Sequence, residues 1–241
     1  MNRSAVSGGY STVTVKHEPL RATALLFDLD GTLVDSAPDI CNAVNQVLND
    51  LRRPRITLEE TRNWIGNGLR RFLQKALVPD GEGSLDPLLL ERAYSMFESH
   101  YAKSVWTNSV VYPGVLDGLA QLEAVGFKMG CVTNKPRFCT CLLLDQAGLA
   151  RYFDVVVAGD DLTETKPAPA PLLHAAKHLG AMPDECVMIG DSRNDVEAAR
   201  AAGMAILALT SGYHQGVDLN EIGATRLASE FSQILELIHH I

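Results

Sequence analysis

The order of apolar and polar residues along the chain predicts alternating strands and helices, interrupted once by a purely helical stretch. Residues 24–27 are apolar at every position, which is typical of a parallel strand buried on both faces. Between residues 37 and 106 the apolar residues recur at helical spacing, without a strand pattern. From residue 107 onward, short apolar runs alternate with helical patterns. Such alternation is typical of βαβ units, so we predict an α/β fold with a mainly parallel sheet.

The same pattern gives approximate bounds for each element. Thr57 and Glu60 form a capping-box signature, which marks the start of a helix. The predicted strands are residues 24–27, 128–132, 153–158, 186–189 and 204–209. The predicted helices begin near Pro38 and Thr57, and further ones cover residues 69–77, 87–103, 115–125, 137–147, 169–179, 196–202 and 231–239. Residues 12–15 are compatible with another strand, and residues 79–84 are predicted to form a loop.

These elements divide the chain into three parts. Residues 1–20 are rich in Ser, Gly and Thr, and we expect them to form a flexible N-terminal tail. Residues 21–36 and 107–241 are predicted to form a Rossmann-like core. Residues 37–106 form a helical insertion that separates the two core segments in sequence. The two connections between the core and the insertion are the expected hinges.

Composition narrows the classes of function. The chain has 241 residues, of which 46% are hydrophobic, so it can bury a substantial core. The net charge is −8 and no Lys/Arg run exceeds two residues, which argues against a nucleic-acid partner. No apolar run approaches the roughly 18 residues that a membrane span requires. The first residues lack a secretory signal pattern and the five cysteines lack a disulfide framework, so we expect reduced thiols and a cytoplasmic location.

Candidate chemistry lies where four of the predicted strands end. In chain order the polar residues there are Asp28 and Asp30, then Thr133 and Asn134, then Asp160 and Asp161 with Lys166 a little later, and finally Asp191 and Asp195. Because parallel strands bring their carboxyl ends to one edge of the sheet, we expect these side chains to converge. Carboxylates that lie close together repel each other unless a cation lies among them, and hard oxygen ligands favour Mg²⁺.

This set of groups indicates phosphoryl transfer, in which positioning and charge neutralisation supply most of the catalysis. Asp28 could attack phosphorus as an ionised carboxylate and form an aspartyl phosphate. Asp30 could protonate the leaving oxygen and then deprotonate the attacking water. Simpler alternatives stay open: the acids at 28 and 30 could form a turn or a helix cap, Lys166 could be a solvated surface residue, and Thr133 and Asp195 could each do no more than cap or support the helix that follows.

Four motifs resemble those of the haloacid dehalogenase superfamily. They are Asp28-Leu29-Asp30-Gly31-Thr32, Val132-Thr133-Asn134, Lys166-Pro167 and Gly190-Asp191-Ser192-Arg193-Asn194-Asp195. The resemblance covers the core from about residue 22 to residue 210, and the helical insertion resembles the C1-type cap of that superfamily. More narrowly, the chain resembles the bacterial phosphoglycolate phosphatases at Trp64-Ile65-Gly66-Asn67-Gly68 and Val132-Thr133-Asn134-Lys135-Pro136.

The resemblance implies a role for each matching residue. It makes Asp28 the nucleophile and Asp30 the general acid and base. The implied Mg²⁺ ligands are Asp28, the carbonyl of Asp30, and Asp191, with Asp195 in the second coordination sphere. The implied phosphoryl contacts are Thr133, Asn134 and Lys166, of which Lys166 also neutralises the phosphoaspartate. The implied reaction is hydrolysis of a small phosphate monoester, 2-phosphoglycolate above all, to an alcohol and phosphate.

Other functions use parts of the same site. A sugar-phosphate mutase would use Asp28 and Asp30 and return the phosphoryl group to its substrate. A dehalogenase would need neither Mg²⁺ nor Asp30, a phosphonatase would be expected to lack a carboxylate at position 30, and a binding protein could keep the fold without turnover. Within the insertion, Arg70 or Arg71 could reach a substrate carboxylate, although a solvent-exposed position is the simpler interpretation. The oligomeric state stays open.

Overall fold

The fold is described from a computed structural model of the chain, which covers residues 18–78 and 85–241. The strand pattern at residues 12–15, the predicted loop at residues 79–84 and most of the expected tail lie outside the described residues. Leu20, which the sequence placed at the end of the tail, is the first residue of a strand. In the described part, no helix combines the length and the apolar character needed to cross a membrane.

The core is built on a six-stranded parallel sheet. In chain order the strands of the described residues are β1 (Leu20–Ala22), β2 (Ala24–Phe27), β3 (Val34–Asp35), β4 (Val110–Val111), β5 (Lys128–Val132), β6 (Val155–Val157), β7 (Cys186–Gly190), β8 (Ala205–Leu209), β9 (Arg226–Ala228) and β10 (Ile238–His240). The order in the main sheet is β6-β5-β2-β7-β8-β9, and every neighbouring pair is parallel. The prediction of a mainly parallel α/β core is therefore confirmed.

Strand β2 lies in the middle of this sheet, between β5 and β7. All four of its side chains are fully buried, as the unbroken apolar run predicts. Leu25 and Phe27 point into the apolar cluster on one face of the sheet, and Ala24 and Leu26 into the cluster on the other. The central position of β2 places whatever follows Phe27 at the middle of the carboxyl edge.

Helices cover both faces of the sheet and form the insertion. In chain order they are α1 (Ala37–Asp50), α2 (Leu58–Trp64), α3 (Leu69–Leu77), α4 (Pro87–Ser104), α5 (Val115–Val125), α6 (Arg137–Gln146), α7 (Ala170–Leu179), α8 (Arg193–Ala202) and α9 (Ile234–Leu237). Helices α5 and α6 contribute to the apolar cluster on one face of the sheet, and α7 and α8 to the cluster on the other face. This is the three-layer arrangement expected for βαβ units.

Helices α1 to α4 form the insertion, which has an apolar core of its own. Thr57 caps α2 as predicted, since its side chain accepts from the Glu60 N–H while the Glu60 carboxylate accepts from the Thr57 N–H. Helix α2 ends at Trp64, and α3 begins after Gly68, whose φ is +84°. A left-handed residue here lets the chain reverse direction between two short helices.

The two connections between core and insertion are tied together, which the sequence pattern did not predict. Val34 of β3 pairs with Val111 of β4 in an antiparallel ladder. Asp39, in the first turn of α1, is fully buried, and its carboxylate accepts from the backbone N–H groups of residues 107–109. The side chains of Asn108 and Ser109 also donate to this carboxylate. We call Asp39 and residues 107–109 the hinge clamp.

Three predicted elements differ from the structure by two residues or more at one end. Residues 231–239 form a 3-10 turn, the short α9 and then β10, because Ile238 is buried and its strand pairs with β1. The predicted helix at 231–239 is therefore wrong at its end. Helix α8 begins at Arg193 rather than at residue 196, since Asp195 accepts from the Ser192 N–H and caps the turn. Strand β6 is shorter than predicted, and β9 was not predicted.

Candidate active site

The carboxyl edge of the sheet brings most of the predicted residues to one pocket beneath the insertion, and Asp191 and Asp195 lie next to its Asp28. Asp28 follows β2, Thr133 follows β5 and Asp191 follows β7, and these three strands are neighbours. The core side of the pocket is lined by Asp28, Asp30, Thr133, Asn134, Lys135, Pro136, Cys139, Lys166, Ser192 and Asn194. The insertion side is lined by Ile40, Trp64, Ile65, Gly66, Gly68, Leu69, Phe72 and Phe97. The insertion thus supplies an apolar roof and the core supplies the charged groups.

The Asp28 carboxylate lies at the centre of this edge and is buried. Its Oδ1 accepts from the Leu29 N–H at 2.7 Å and lies 3.0 Å from the Lys166 Nζ. Burial raises the pKa of Asp28 to about 7; the Lys166 charge opposes that shift and the Asp195 charge adds to it. A carboxylate with this environment binds a positive group strongly.

Asp191 is a second buried carboxylate beside Asp28. Its oxygens accept from the Thr32 hydroxyl at 2.6 Å and from the Tyr213 N–H at 2.5 Å. Burial raises the pKa of Asp191 well above its usual value, and the neighbouring charges of Asp28 and Asp195 raise it further. Gly31 has a φ of +92° and packs directly on the Asp191 carboxylate, so that a Cβ at position 31 would overlap it. Only glycine fits there.

The acidic set fits a divalent cation. Carboxylate oxygens of Asp28, Asp191 and Asp195 all lie within 4.8 Å of one another, and all three residues are buried. Three ionised carboxylates at this separation would repel each other strongly in a dry site, and oxygen donors are what a hard divalent cation requires. Asp195 is the most occupied of the three, because its two oxygens accept three hydrogen bonds, from the Lys166 ammonium group and from the N–H and hydroxyl of Ser192. Asp28 and Asp191 are therefore better placed to offer an oxygen to a cation.

Lys166 links the nucleophile candidate to Asp195. Its Nζ lies 2.6 Å from Asp195 Oδ1, 3.0 Å from Asp28 Oδ1 and 2.7 Å from the carbonyl oxygen of Val132. Burial alone would lower the pKa of Lys166, but the two carboxylates outweigh burial and raise it. The ammonium group therefore stays charged. Asp195 in turn accepts from the Ser192 N–H and hydroxyl, which fixes the orientation of its carboxylate.

Asp30 forms an ion pair that sequence reasoning missed. Its carboxylate oxygens lie 3.0 and 3.2 Å from the Nζ of Lys135, and it also accepts from the Ser36 hydroxyl. Lys135 is buried and lies over the ring of Tyr101 in α4, 5.0 Å from its centroid. Burial would lower the pKa of Lys135, but Asp30 outweighs burial and the net shift is upward. Lys135 follows Thr133-Asn134 directly, so its place after a strand end was the signal that could have found it.

Thr133 and Asn134 line the pocket, and the Asn134 side chain already has partners. The two hydrogens of the Asn134 amide are donated to the carbonyl oxygens of Gly66 and Lys166, and its oxygen accepts from the Lys166 N–H. Thr133 Oγ1 accepts from the Lys135 N–H at 3.2 Å. Asn134 therefore holds the Lys166 segment and the insertion loop in place in this conformation.

Other core residues also hold the insertion loop, a role that the sequence pattern does not predict for them. Asn194 donates to the Gly66 carbonyl oxygen at 3.0 Å, and Gln215 donates to the carbonyl oxygen of Ile65 at 2.9 Å. Tyr213 bridges to the first connection, since its hydroxyl donates to Asp35 at 2.5 Å and accepts from the Ala37 N–H at 3.1 Å. Gln215 and Tyr213 lie far from the motifs in sequence, so no local pattern marks them.

The two arginines of α3 do not line the pocket. Arg70 is exposed and forms an ion pair with Glu91 of α4, and it also lies over the Tyr94 ring. Arg71 is exposed as well. The interpretation of both arginines as solvent-exposed fits the structure. Among the described residues that line the pocket, the positive side chains are two lysines of the core, Lys135 and Lys166.

Comparison with known proteins agrees with this geometry. The sequence model of the haloacid dehalogenase-like hydrolase family matches residues 25–209 of this chain. The chain is 40% identical to the phosphoglycolate phosphatase of Nitrosospira multiformis over 222 residues, which cover 92% of this chain and 98% of that protein. It is 42% identical to the phosphoglycolate phosphatase of Nitrosococcus oceani over 214 residues, covering 89% and 95% of the two chains.

Solved structures show the same arrangement of core and insertion. The crystal structure of a predicted phosphoglycolate phosphatase from Haemophilus somnus 129PT has a TM-score of 0.84 and 32% identity to this chain, covering 89% of this chain and 97% of that one. The Rossmann-like core with a helical cap is thereby confirmed. From the strand-end motifs, the parallel sheet and the extent of the match, the chain belongs to the haloacid dehalogenase-like hydrolase family.

Proposed function

We propose that this hydrolase is a Mg²⁺-dependent phosphatase that converts 2-phosphoglycolate to glycolate and phosphate through an aspartyl phosphate on Asp28. One observation carries the proposal: a buried Asp28 lies 3.0 Å from Lys166, and its carboxylate lies within 4.8 Å of the carboxylates of Asp191 and Asp195. The relatives that bear the name phosphoglycolate phosphatase support the substrate. The apolar roof of the pocket would exclude bulk water from the site during the transfer.

In the first half-reaction an oxygen of Asp28 attacks phosphorus, and the bond from phosphorus to the ester oxygen breaks. Asp30 protonates the departing glycolate oxygen, for which its carboxyl group must turn away from Lys135. Asp30 then takes a proton from water, and the oxygen of that water attacks phosphorus and releases Asp28 and inorganic phosphate. Each half-reaction breaks one bond to phosphorus and forms one.

The charges in the pocket are arranged for this transfer. Lys166 lies beside the attacking oxygen and would neutralise charge on the phosphoryl group, and Asp195 would hold Lys166 in place. Thr133 would bind a phosphoryl oxygen through its hydroxyl. Because the amide of Asn134 is occupied by backbone partners, we propose that it contributes by positioning Lys166.

The metal is proposed to be Mg²⁺, held by the carboxylates of Asp28 and Asp191 and the carbonyl oxygen of Asp30. A bound Mg²⁺ supplies positive charge next to the phosphoryl oxygens and offsets the repulsion among the acids. The hard oxygen donors of the buried set support this choice. We further propose that the protein works in the cytoplasm, since all five cysteines are free in the structure.

The direct test is release of inorganic phosphate from a panel of phosphate monoesters, with Mg²⁺ and with EDTA. We expect 2-phosphoglycolate to have the highest kcat/KM, EDTA to abolish release, and Asp28→Asn to be inactive. A flat profile across the panel would contradict the substrate assignment alone. Activity of Asp28→Asn equal to that of the wild type, or an isomerised substrate without phosphate release, would contradict the mechanism.

A further inference from the structure

Lys135 is a buried cation on the pocket wall to which the proposed mechanism gives no task. Its side chain is only 5% exposed, and its ammonium group reaches Asp30 rather than solvent. The ring of Tyr101 supports it from the insertion side, so its position does not depend on Asp30 alone. Lys135 thus places a fixed positive charge on the pocket wall beside Asp30, the proposed acid that protonates the leaving oxygen.

The substrate proposed above has two anionic ends, and each needs a positive partner in a buried site. A carboxylate buried against apolar groups without a partner is strongly disfavoured. The insertion side of the pocket is mostly apolar, as at Ile65, Leu69 and Phe72, and none of its described lining residues carries a positive charge. Across the lining formed by the described residues, the positive side chains are Lys135 and Lys166.

The two lysines have different surroundings, which assigns them to different ends of the substrate. Lys166 is held by Asp28, Asp195 and a backbone carbonyl oxygen. Because Asp28 is the proposed nucleophile, Lys166 belongs with the phosphoryl group. Lys135 has one carboxylate partner, Asp30, which must leave it in order to protonate the leaving oxygen. A second carboxylate arriving with the substrate could take the place that Asp30 vacates.

We propose that Lys135 binds the carboxylate of the substrate and so selects phosphate esters that carry an acid group one carbon from the ester oxygen. The inference rests on the proposed function, because it concerns the leaving group of that same reaction. On binding, the substrate carboxylate replaces Asp30 as the partner of Lys135. Asp30 keeps the Ser36 hydroxyl as a partner and is free to turn toward the ester oxygen.

The test compares two substrates that differ only in the group that carries this charge. In 2-hydroxyethyl phosphate a CH₂OH group replaces the carboxylate of 2-phosphoglycolate. The variants are Lys135→Met, which removes the charge, Lys135→Arg, which keeps it, and Arg71→Met, which removes an exposed positive charge on helix α3 of the insertion. The quantity measured is the ratio of kcat/KM for the two substrates in each protein.

We expect Lys135→Met to lower this ratio about 10- to 100-fold, mainly through KM for 2-phosphoglycolate, as for the loss of a charge-assisted hydrogen bond. Lys135→Arg should keep most of the selectivity, and Arg71→Met should keep all of it. If Lys135→Met slows both substrates equally, Lys135 only positions Asp30 and the inference is wrong. A selective loss in Arg71→Met would also overturn it, in favour of the arginine.

A second experiment uses the wild-type protein, so its result does not depend on whether a variant folds. 3-Phosphonopropionate keeps the carboxylate of 2-phosphoglycolate, and 3-hydroxypropylphosphonate lacks it. We expect the first to inhibit more tightly by about 10-fold or more, and equal inhibition would overturn the inference. If the wild type prefers 2-phosphoglycolate and Lys135→Met retains that preference, only the inference fails. If the wild type prefers esters without a carboxylate, the proposed substrate fails as well.

Discussion

The Asp28 side chain has to be both buried and charged, and these two requirements oppose each other. Burial raises its pKa to about 7 from an ordinary 3.8, with the Lys166 charge opposing and the Asp195 charge adding to the shift. The folded protein therefore binds a proton at Asp28 more tightly than the unfolded chain does. By linkage, the contribution of Asp28 to the free energy of unfolding becomes less favourable as pH rises from about 4 to about 7.

Asp28→Asn should remove this pH-dependent contribution in the metal-free protein. We expect the variant to be more stable than the wild type at pH 8 by about 1–3 kcal/mol and to lose this advantage near pH 4. The measurement is urea unfolding in EDTA at both pH values. Stability curves for the two proteins that run parallel across this range would show that Asp28 does not titrate as its environment indicates.

Gly31 illustrates a second demand at the residue scale. Its φ of +92° and its contact with the Asp191 carboxylate exclude a side chain, whereas Gly148 has a φ of +68° and nothing within 4 Å of an added Cβ. Gly31→Ala should cost about 2–4 kcal/mol and abolish activity, and Gly148→Ala should cost about 1 kcal/mol. Thermal unfolding and phosphate release check both variants. If both substitutions lowered the free energy of unfolding equally, backbone strain alone would explain the loss, without the contact between Gly31 and Asp191.

At this scale the sequence predicted the residues that directly follow apolar strands. Asp28 and Asp191 lie together because β2 and β7 are neighbours in the sheet. The order of the strands along the chain does not reveal this pairing. Lys135 was missed because the hydroxyl and amide before it suggested a phosphate site, and its partner Asp30 lies 105 positions away. Tyr213 was missed because its main contact with the site is a backbone N–H.

At the scale of elements, the hinge clamp joins the two connections of the insertion. Five groups donate to the fully buried Asp39 carboxylate, and all belong to residues 107–109. The start of α1 and the end of the insertion are therefore fixed to each other. Motion of the insertion must use the chain on either side of this clamp.

Asp39→Ala should leave these donors without partners and release the second connection. We expect a loss of about 3 kcal/mol or more in the free energy of unfolding and a lower kcat, since the roof of the pocket loses its fixed attachment. Asp50→Asn is the matched control on the same helix: Asp50 is exposed and pairs with His100, so its change should be within about 0.5 kcal/mol. Similar losses in both variants would contradict the clamp.

Elements were predicted well where the pattern was long and bounded by clear signals. Helix α3 has the predicted bounds, because Gly68 precedes it and its apolar residues keep helical spacing. Strand β10 was mistaken for helix, since three residues carry no periodicity and its partner β1 lies at the other end of the chain. The pairing of β3 with β4 was missed for the same reason, as each has only two residues.

For the whole molecule, the concentration of buried acids predicts a dependence of stability on a divalent cation. Binding to the folded state adds about 2.7 kcal/mol to the free energy of unfolding when the cation exceeds its Kd 100-fold. We expect Mg²⁺ to raise the unfolding temperature of EDTA-treated protein and to restore its activity. Asp191→Asn should lose most of that rise, and an unchanged rise in this variant would place the cation elsewhere.

Tyr213 gives the molecule a further property, because one residue contacts both the Asp191 carboxylate and the first connection of the insertion. In thermodynamic terms, we expect occupancy of the proposed metal site and closure of the insertion to favour each other, and linkage requires the factor to be the same in both directions. A substrate analogue that closes the insertion should therefore tighten Mg²⁺ binding. Tyr213→Phe keeps the N–H to Asp191 and loses the hydroxyl, so titration calorimetry should find the coupling factor reduced while Mg²⁺ still binds.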